Sequence, residues 1–117
     1  MALAPAAGRT PEERYEDLLD AFNDTDGVTL PTGGSGFGRS AMRYRRKMFA
    51  MLVRGHLVVK LPENRVDELV AAGHGVRFDA NKGIPMREWL SLDPEPSLDW
   101  RQLAGEALAF ARAAGKL

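Results

Sequence analysis

Five cations stand close together in one part of the chain: Arg39, Arg43, Arg45, Arg46 and Lys47. At this density guanidinium and ammonium groups can meet phosphates or carboxylates through charge, and the guanidiniums also through paired hydrogen bonds. Tyr44 and Phe37, interleaved with them, offer aromatic surfaces on which the bases of a single strand can stack. The same region holds Gly33-Gly34-Ser35-Gly36-Phe37-Gly38-Arg39-Ser40, which has the spacing of a phosphate-binding P-loop with arginine in place of its lysine. A working P-loop needs a buried strand before it, a helix after it whose amides meet the phosphates, and an acid nearby for magnesium. Here the preceding run Val28-Thr29-Leu30 is stopped by Pro31, and the residues after the loop read as a strand. The glycine-rich segment is therefore expected to be an ordinary loop.

Other chemistry finds less support. His56 and His74 are the only imidazoles, and no ligand spacing relates them to each other or to a carboxylate such as Asp79, so no metal site is expected. With no cysteine, thiolate nucleophiles, disulfides, iron–sulfur clusters and cysteine-based zinc sites are excluded. Ser35, Ser40, Ser91 and Ser97 have no nucleophile-elbow context. The acid pairs Glu12/Glu13 and Glu16/Asp17 fall on the polar side of an amphipathic helix, where solvated charge or pairing with the basic cluster accounts for them. No catalytic constellation and no cofactor are predicted.

The formal net charge of zero hides a segregation. Residues 1–26 hold seven acids against Arg9 and Arg14, residues 27–62 hold seven bases and no acid, and residues 63–117 hold nine acids against seven bases. A dedicated nucleic-acid binder is usually basic overall, so the local concentration of charge, and not its sum, carries the signal.

The elements that must position the cluster centre on Lys47-Met-Phe-Ala-Met-Leu-Val-Arg-Gly-His-Leu-Val-Val-Lys-Leu61, which reads as a β-hairpin turning at Arg54-Gly55. In its first arm both alternating sets, Phe49/Met51/Val53 and Met48/Ala50/Leu52, are apolar, which predicts a central strand covered on both faces. Ser40 to Tyr44 reads as the strand before it, with Arg45-Arg46 as the turn between them. Thr10-Pro11-Glu12-Glu13 is a capping box opening a helix whose apolar stripe is Tyr15, Leu18, Leu19 and Phe22. Pro62 opens a second helix, 63–72, stopped by Gly73. Strands are predicted over 76–79 and 85–92, and Asp99, with Gln102 as its capping-box partner, opens a last helix with the stripe Trp100, Leu103, Ala104, Ala107, Leu108 and Ala111. At 117 residues this makes one domain over 10–117 behind a flexible tail, 1–9. Its fold class is α+β, in the order α-β-β-β-β-α-β-β-α, with an antiparallel β-sheet packed against an N-terminal, a middle and a C-terminal helix.

Lys47-Met48-Phe49-Ala50, Leu57-Val58-Val59-Lys60-Leu61-Pro62 leading into a helix with Arg65, then Gly73 and Phe78, Gly83 to Trp89, and Trp100 with Leu103 and Ala107 form a pattern over roughly 10–114. It resembles the TfoX N-terminal-like and MmcQ/YjbR-like small bacterial proteins. The resemblance implies a compact α+β domain of cytoplasmic bacterial proteins, some linked to regulation of competence or suggested to bind DNA. It brings no catalytic residues, and the second, helical domain of full-length TfoX-type regulators has no counterpart here.

The expectation is thus a non-enzymatic binding or regulatory domain that meets nucleic acid or an acidic protein through Arg39, Arg43, Arg45, Arg46 and Lys47. One alternative is a homodimeric interaction module, using Trp89, Met86 and Phe78 as an apolar patch if that sheet face is open. Another is a small-ligand carrier or enzyme with a pocket under the Gly33 to Gly38 loop. With no leader-like segment and no long apolar run, a cytoplasmic protein without membrane contact is expected.

Overall fold

The hairpin at the centre of the sheet is made by β3 (Lys47–Val53) and β4 (His56–Lys60), antiparallel and in register from Ala50 opposite Val59 to Val53 opposite His56. Its two-residue turn holds Arg54 and Gly55 at φ 52° and 82°, the left-handed pair that matches the twist of the strands it joins. The computed structural model describes residues 10–31, 40–78, 87–95 and 97–114. Within them the elements run α1 (Pro11–Ala21), β1 (Val28–Thr29), β2 (Met42–Tyr44), β3, β4, α2 (Glu63–Ala71), β5 (Gly75–Arg77), β6 (Trp89–Leu92) and α3 (Trp100–Ala114). The six strands form one antiparallel sheet in the order β1-β2-β3-β4-β6-β5, so the hairpin is central, as its apolar pattern requires.

Local signals fix the helices. Thr10 Oγ1 accepts from the Glu13 amide at 3.1 Å, and Glu13 Oε1 accepts from the Thr10 amide at 3.0 Å, which closes the capping box. Gly73, at φ 83°, ends α2: its amide donates to the Val70 carbonyl, and the His74 amide reaches back to Leu69, both at 3.0 Å. Asp99 caps α3 through the Gln102 amide at 3.1 Å, but the Gln102 side-chain nitrogen turns to Glu106 at 3.4 Å, so the expected capping box is made in one direction only.

All three helices pack on one face of the sheet. Tyr15 and Leu18 of α1, Val66 and Leu69 of α2, and the whole predicted stripe of α3 share a core with Ala50, Leu57, Val59, Leu90 and Leu92. Burial pushes the Tyr15 hydroxyl above the usual phenol range, against the effect of a backbone hydrogen bond at Met42, and the hydroxyl donates to the Ser40 carbonyl. A second, smaller cluster joins Ala41, Met51, Val58 and Trp89, with Met48, Val53 and Phe78 at its margin. The register Met51–Val58 and Lys60–Trp89 puts it on the opposite face.

One register shift changes the expected faces. Met42 lies opposite Ala50 but Arg43 lies opposite Met48, so Phe49 is the extra residue of a β-bulge. Phe49 joins Ala50 in the main core, and Met48 falls to the second cluster. The expected sharing of one face by Phe49 with Met51 is corrected accordingly. The last strand is also shorter than 85–92: Arg87 and Glu88 form a turn, and the ladder begins at Trp89. The preceding strand is Gly75–Arg77, one residue earlier than its apolar signal, because Gly75 must lie against the backbone of β6. A Cβ on Gly75 would stand 2.3 Å from the Ser91 carbonyl oxygen.

Candidate anion-binding site

The basic cluster is built on the turn between β2 and β3. Tyr44 and Lys47 close the ladder, and Arg45 and Arg46 form the two-residue connection at φ 48° and 78°. Two consecutive left-handed residues are the geometry for which Asn-Gly is favoured, and a side chain there costs roughly 1 kcal/mol per residue. Both positions are nevertheless arginine, and both are exposed. Strand alternation distributes the flanks: Arg43, opposite Met48, lies on the second-cluster face, whereas Tyr44 packs against the main core on the helix face. The cations therefore wrap the end of the sheet instead of lining one side of it. Arg43 Nη1 lies 3.5 Å from the Arg46 carbonyl, a long contact that ties the flank to the tip.

Tyr44 is the fixed point beneath the tip. Its ring lies on Gly27, where a Cβ would approach a ring carbon to 2.5 Å, and the Gly27 carbonyl accepts the Arg45 amide at 3.0 Å. The Arg45 guanidinium stands 5.3 Å from the ring centroid and that of Arg112, from the last turn of α3, 5.5 Å. Arg112 also approaches the Asp26 carbonyl, at 3.5 Å. It is a further cation of the site that sequence reasoning missed. Its place next to Ala111 in the helical stripe is visible in the sequence, but the end of the sheet that α3 reaches is not.

Three basic side chains elsewhere, Arg65, Arg77 and Arg87, have carboxylate partners, whereas Arg54, Lys60 and Arg101 have none among the described residues. Arg65 forks onto Glu106 at 2.9 and 3.2 Å and reaches Glu68 at 3.0 Å, and these two carboxylates, Glu106 foremost, raise its pKa further. Arg77 pairs with Asp67, and Arg87 lies 4.0 Å from Glu63. Among the described residues no carboxylate stands within ion-pair distance of Arg43, Arg45, Arg46, Lys47 or Arg112. Pairing with the acids of α1 is not what holds this cluster. The N-terminus of α1 lies at the other end of β3, where a Cβ on Gly55 would stand 3.7 Å from the Pro11 ring. Arg54, at that end, is likewise unpaired but has no basic neighbour in sequence.

The remaining candidates separate from the site. Arg39, Met86 and the Gly33 to Gly38 loop lie outside the described residues. Ser40, last residue of the P-loop-like spacing, spends its hydroxyl on β3, donating to the Leu52 carbonyl at 2.9 Å and accepting the Leu52 amide at 3.1 Å. It is followed by β2 and not by a helix, so the helix that a P-loop requires after its loop is missing. His56 Nδ1 lies 2.8 Å from the Leu92 carbonyl, an acceptor, so that nitrogen carries the proton. His74 Nδ1 lies 3.9 Å from Glu95. Trp89 is 9 % exposed and Phe78 half-buried, so the aromatic that the dimer alternative needs on an open face is packed within the chain beside Met51 and Val58. Among the described residues no helix is long and apolar enough to cross a membrane. No family model, no curated protein and no solved structure matches the chain.

Proposed function

We propose that this chain is a non-enzymatic binding module that holds a polyanion, nucleic acid in the first place, at the β2–β3 end of its sheet. What carries the reading is the pair of exposed arginines, Arg45 and Arg46, kept in a backbone conformation that favours glycine, with no carboxylate partner among the described residues. Unusual backbone of this kind concentrates at functional positions. Arg43 and Lys47 flank the tip and Arg112 stands behind it on Tyr44, so charge is offered on a projecting hairpin end. Such an end can follow a phosphate backbone without reading bases, which predicts affinity governed by salt and indifferent to sequence. The resemblance to TfoX N-terminal-like and YjbR-like domains, some of them suggested to bind DNA, agrees with this proposal.

The test is fluorescence anisotropy of labelled single- and double-stranded DNA over a salt series, with the wild type and the variant Arg43→Ala/Arg45→Ala/Arg46→Ala. Each phosphate contact contributes a slope of about −0.7 to −0.9 in log K against log salt, so the variant should be flatter by about 2–3. Absence of binding by the wild type at low salt, or equal slopes for the two proteins, would overturn the proposal.

A further inference from the structure

Beside the basic turn, at the same end of the sheet, a cavity of about 510 Å³ opens between β3, β4, the start of β6 and the C-terminal part of α3. This is within the range of small-molecule sites. Its wall divides by chemistry. On the sheet side stand two ammonium groups, Lys47 at the start of β3 and Lys60 at the end of β4, and neither has a carboxylate within ion-pair distance among the described residues. Lys60 Nζ lies 6.0 Å from the centroid of the Trp89 ring, and both residues line the cavity. On the helix side Phe110, Ala111 and Ala114 present only carbon from their side chains, and Met48 adds a flexible thioether. Glu88, exposed, is the single acid of the lining, which leaves a formal excess of one positive charge.

We propose that this cavity binds a small carboxylate attached to an apolar body of about ten carbons, a size that suits its volume. The orientation follows from the wall. The last carbonyls of α3 carry the negative end of the helix dipole and disfavour an anionic head on that side. The carboxylate therefore meets Lys60 and Lys47, and the body lies along Phe110, Ala111, Ala114 and Met48. The proposal does not rest on polyanion binding at the turn, although the two sites share Lys47. An alkyl chain and a fused aryl ring satisfy the same description, and the probes separate them.

The experiment is isothermal titration calorimetry of the full chain with decanoate, 1-naphthoate, decanol and decylamine. Saturable one-to-one binding of at least one of the acids is expected, with decanol and decylamine about tenfold weaker or worse; the tighter acid identifies the body. Lys60→Gln, which keeps the stem and removes the charge, should weaken the acid about tenfold. Ala114→Phe, at an exposed position on the wall, should weaken it at least as much by filling the space, with circular dichroism reporting an unchanged fold. Arg45→Ala/Arg46→Ala should leave acid binding as it is, which separates this site from the polyanion site. The proposal is overturned if neither acid saturates, if decanol binds as tightly as decanoate, or if both Lys60→Gln and Ala114→Phe bind the acid like wild type while folded.

Discussion

At Arg45 and Arg46 stability and charge make opposite demands. The turn they occupy favours Asn-Gly, so Arg45→Asn/Arg46→Gly should stabilise the fold by about 1–2 kcal/mol. The same variant removes the two outermost charges and should lower DNA affinity. Urea unfolding and anisotropy on one preparation check both halves, and a variant that gained neither stability nor lost affinity would leave the arginines unexplained. Tyr15 poses a pH question. Its hydroxyl is buried and donates to the Ser40 carbonyl, so Tyr15→Phe should cost about 1 kcal/mol at neutral pH. The folded pKa is raised above the ordinary 10.0, so the unfolded chain loses this proton first, and the stability it contributes is present below pH 10 and falls above it. The gap between wild type and Tyr15→Phe should therefore narrow as the pH is taken above 10. Denaturant titrations of the two proteins at neutral and alkaline pH measure that gap directly.

Among the elements, glycine positions separate strain from contact. Gly73 needs its left-handed φ to end α2 but has open space around a would-be Cβ, so Gly73→Ala should cost about 1 kcal/mol. Gly75 lies against the backbone of β6, which cannot yield as a side chain could, and Gly75→Ala should cost at least about 2 kcal/mol by forcing the strands apart. Chemical denaturation of both variants tests the order. These elements also show what the sequence discloses and what it withholds. The capping box at Thr10 and Glu13 and all six residues of the α3 stripe are legible, because each depends on spacing within one segment. The bulge at Phe49 is not, since Met48 and Phe49 are both apolar and the alternation carries no phase there. Arg112 was missed for a different reason: it joins Tyr44 through the packing of α3 across the sheet, which no local pattern encodes. The basic turn lay open to reading because its residues are contiguous.

For the molecule as a whole, the even balance of charges is a poor guide to the field it presents. Arg43, Arg45, Arg46, Lys47 and Arg112 gather at one end of the sheet, and the acidic start of α1 lies at the other. A polyanion bound only to the native state should raise the melting temperature, because binding at a hundredfold excess over Kd adds about 2.7 kcal/mol of stability. Differential scanning fluorimetry with single-stranded DNA at low salt should show the rise, and the triple alanine variant should not. The strand order has a consequence at this scale as well. The sheet ends in β1, two residues long, and β5, three residues long, while its longest strands are enclosed at the centre. Unpaired strand edges are templates on which further chains can add, so an edge this short gives an incoming strand few backbone groups to grip. Although Val76 on β5 is 62 % exposed, margins this brief should limit the growth of the native sheet into fibrils.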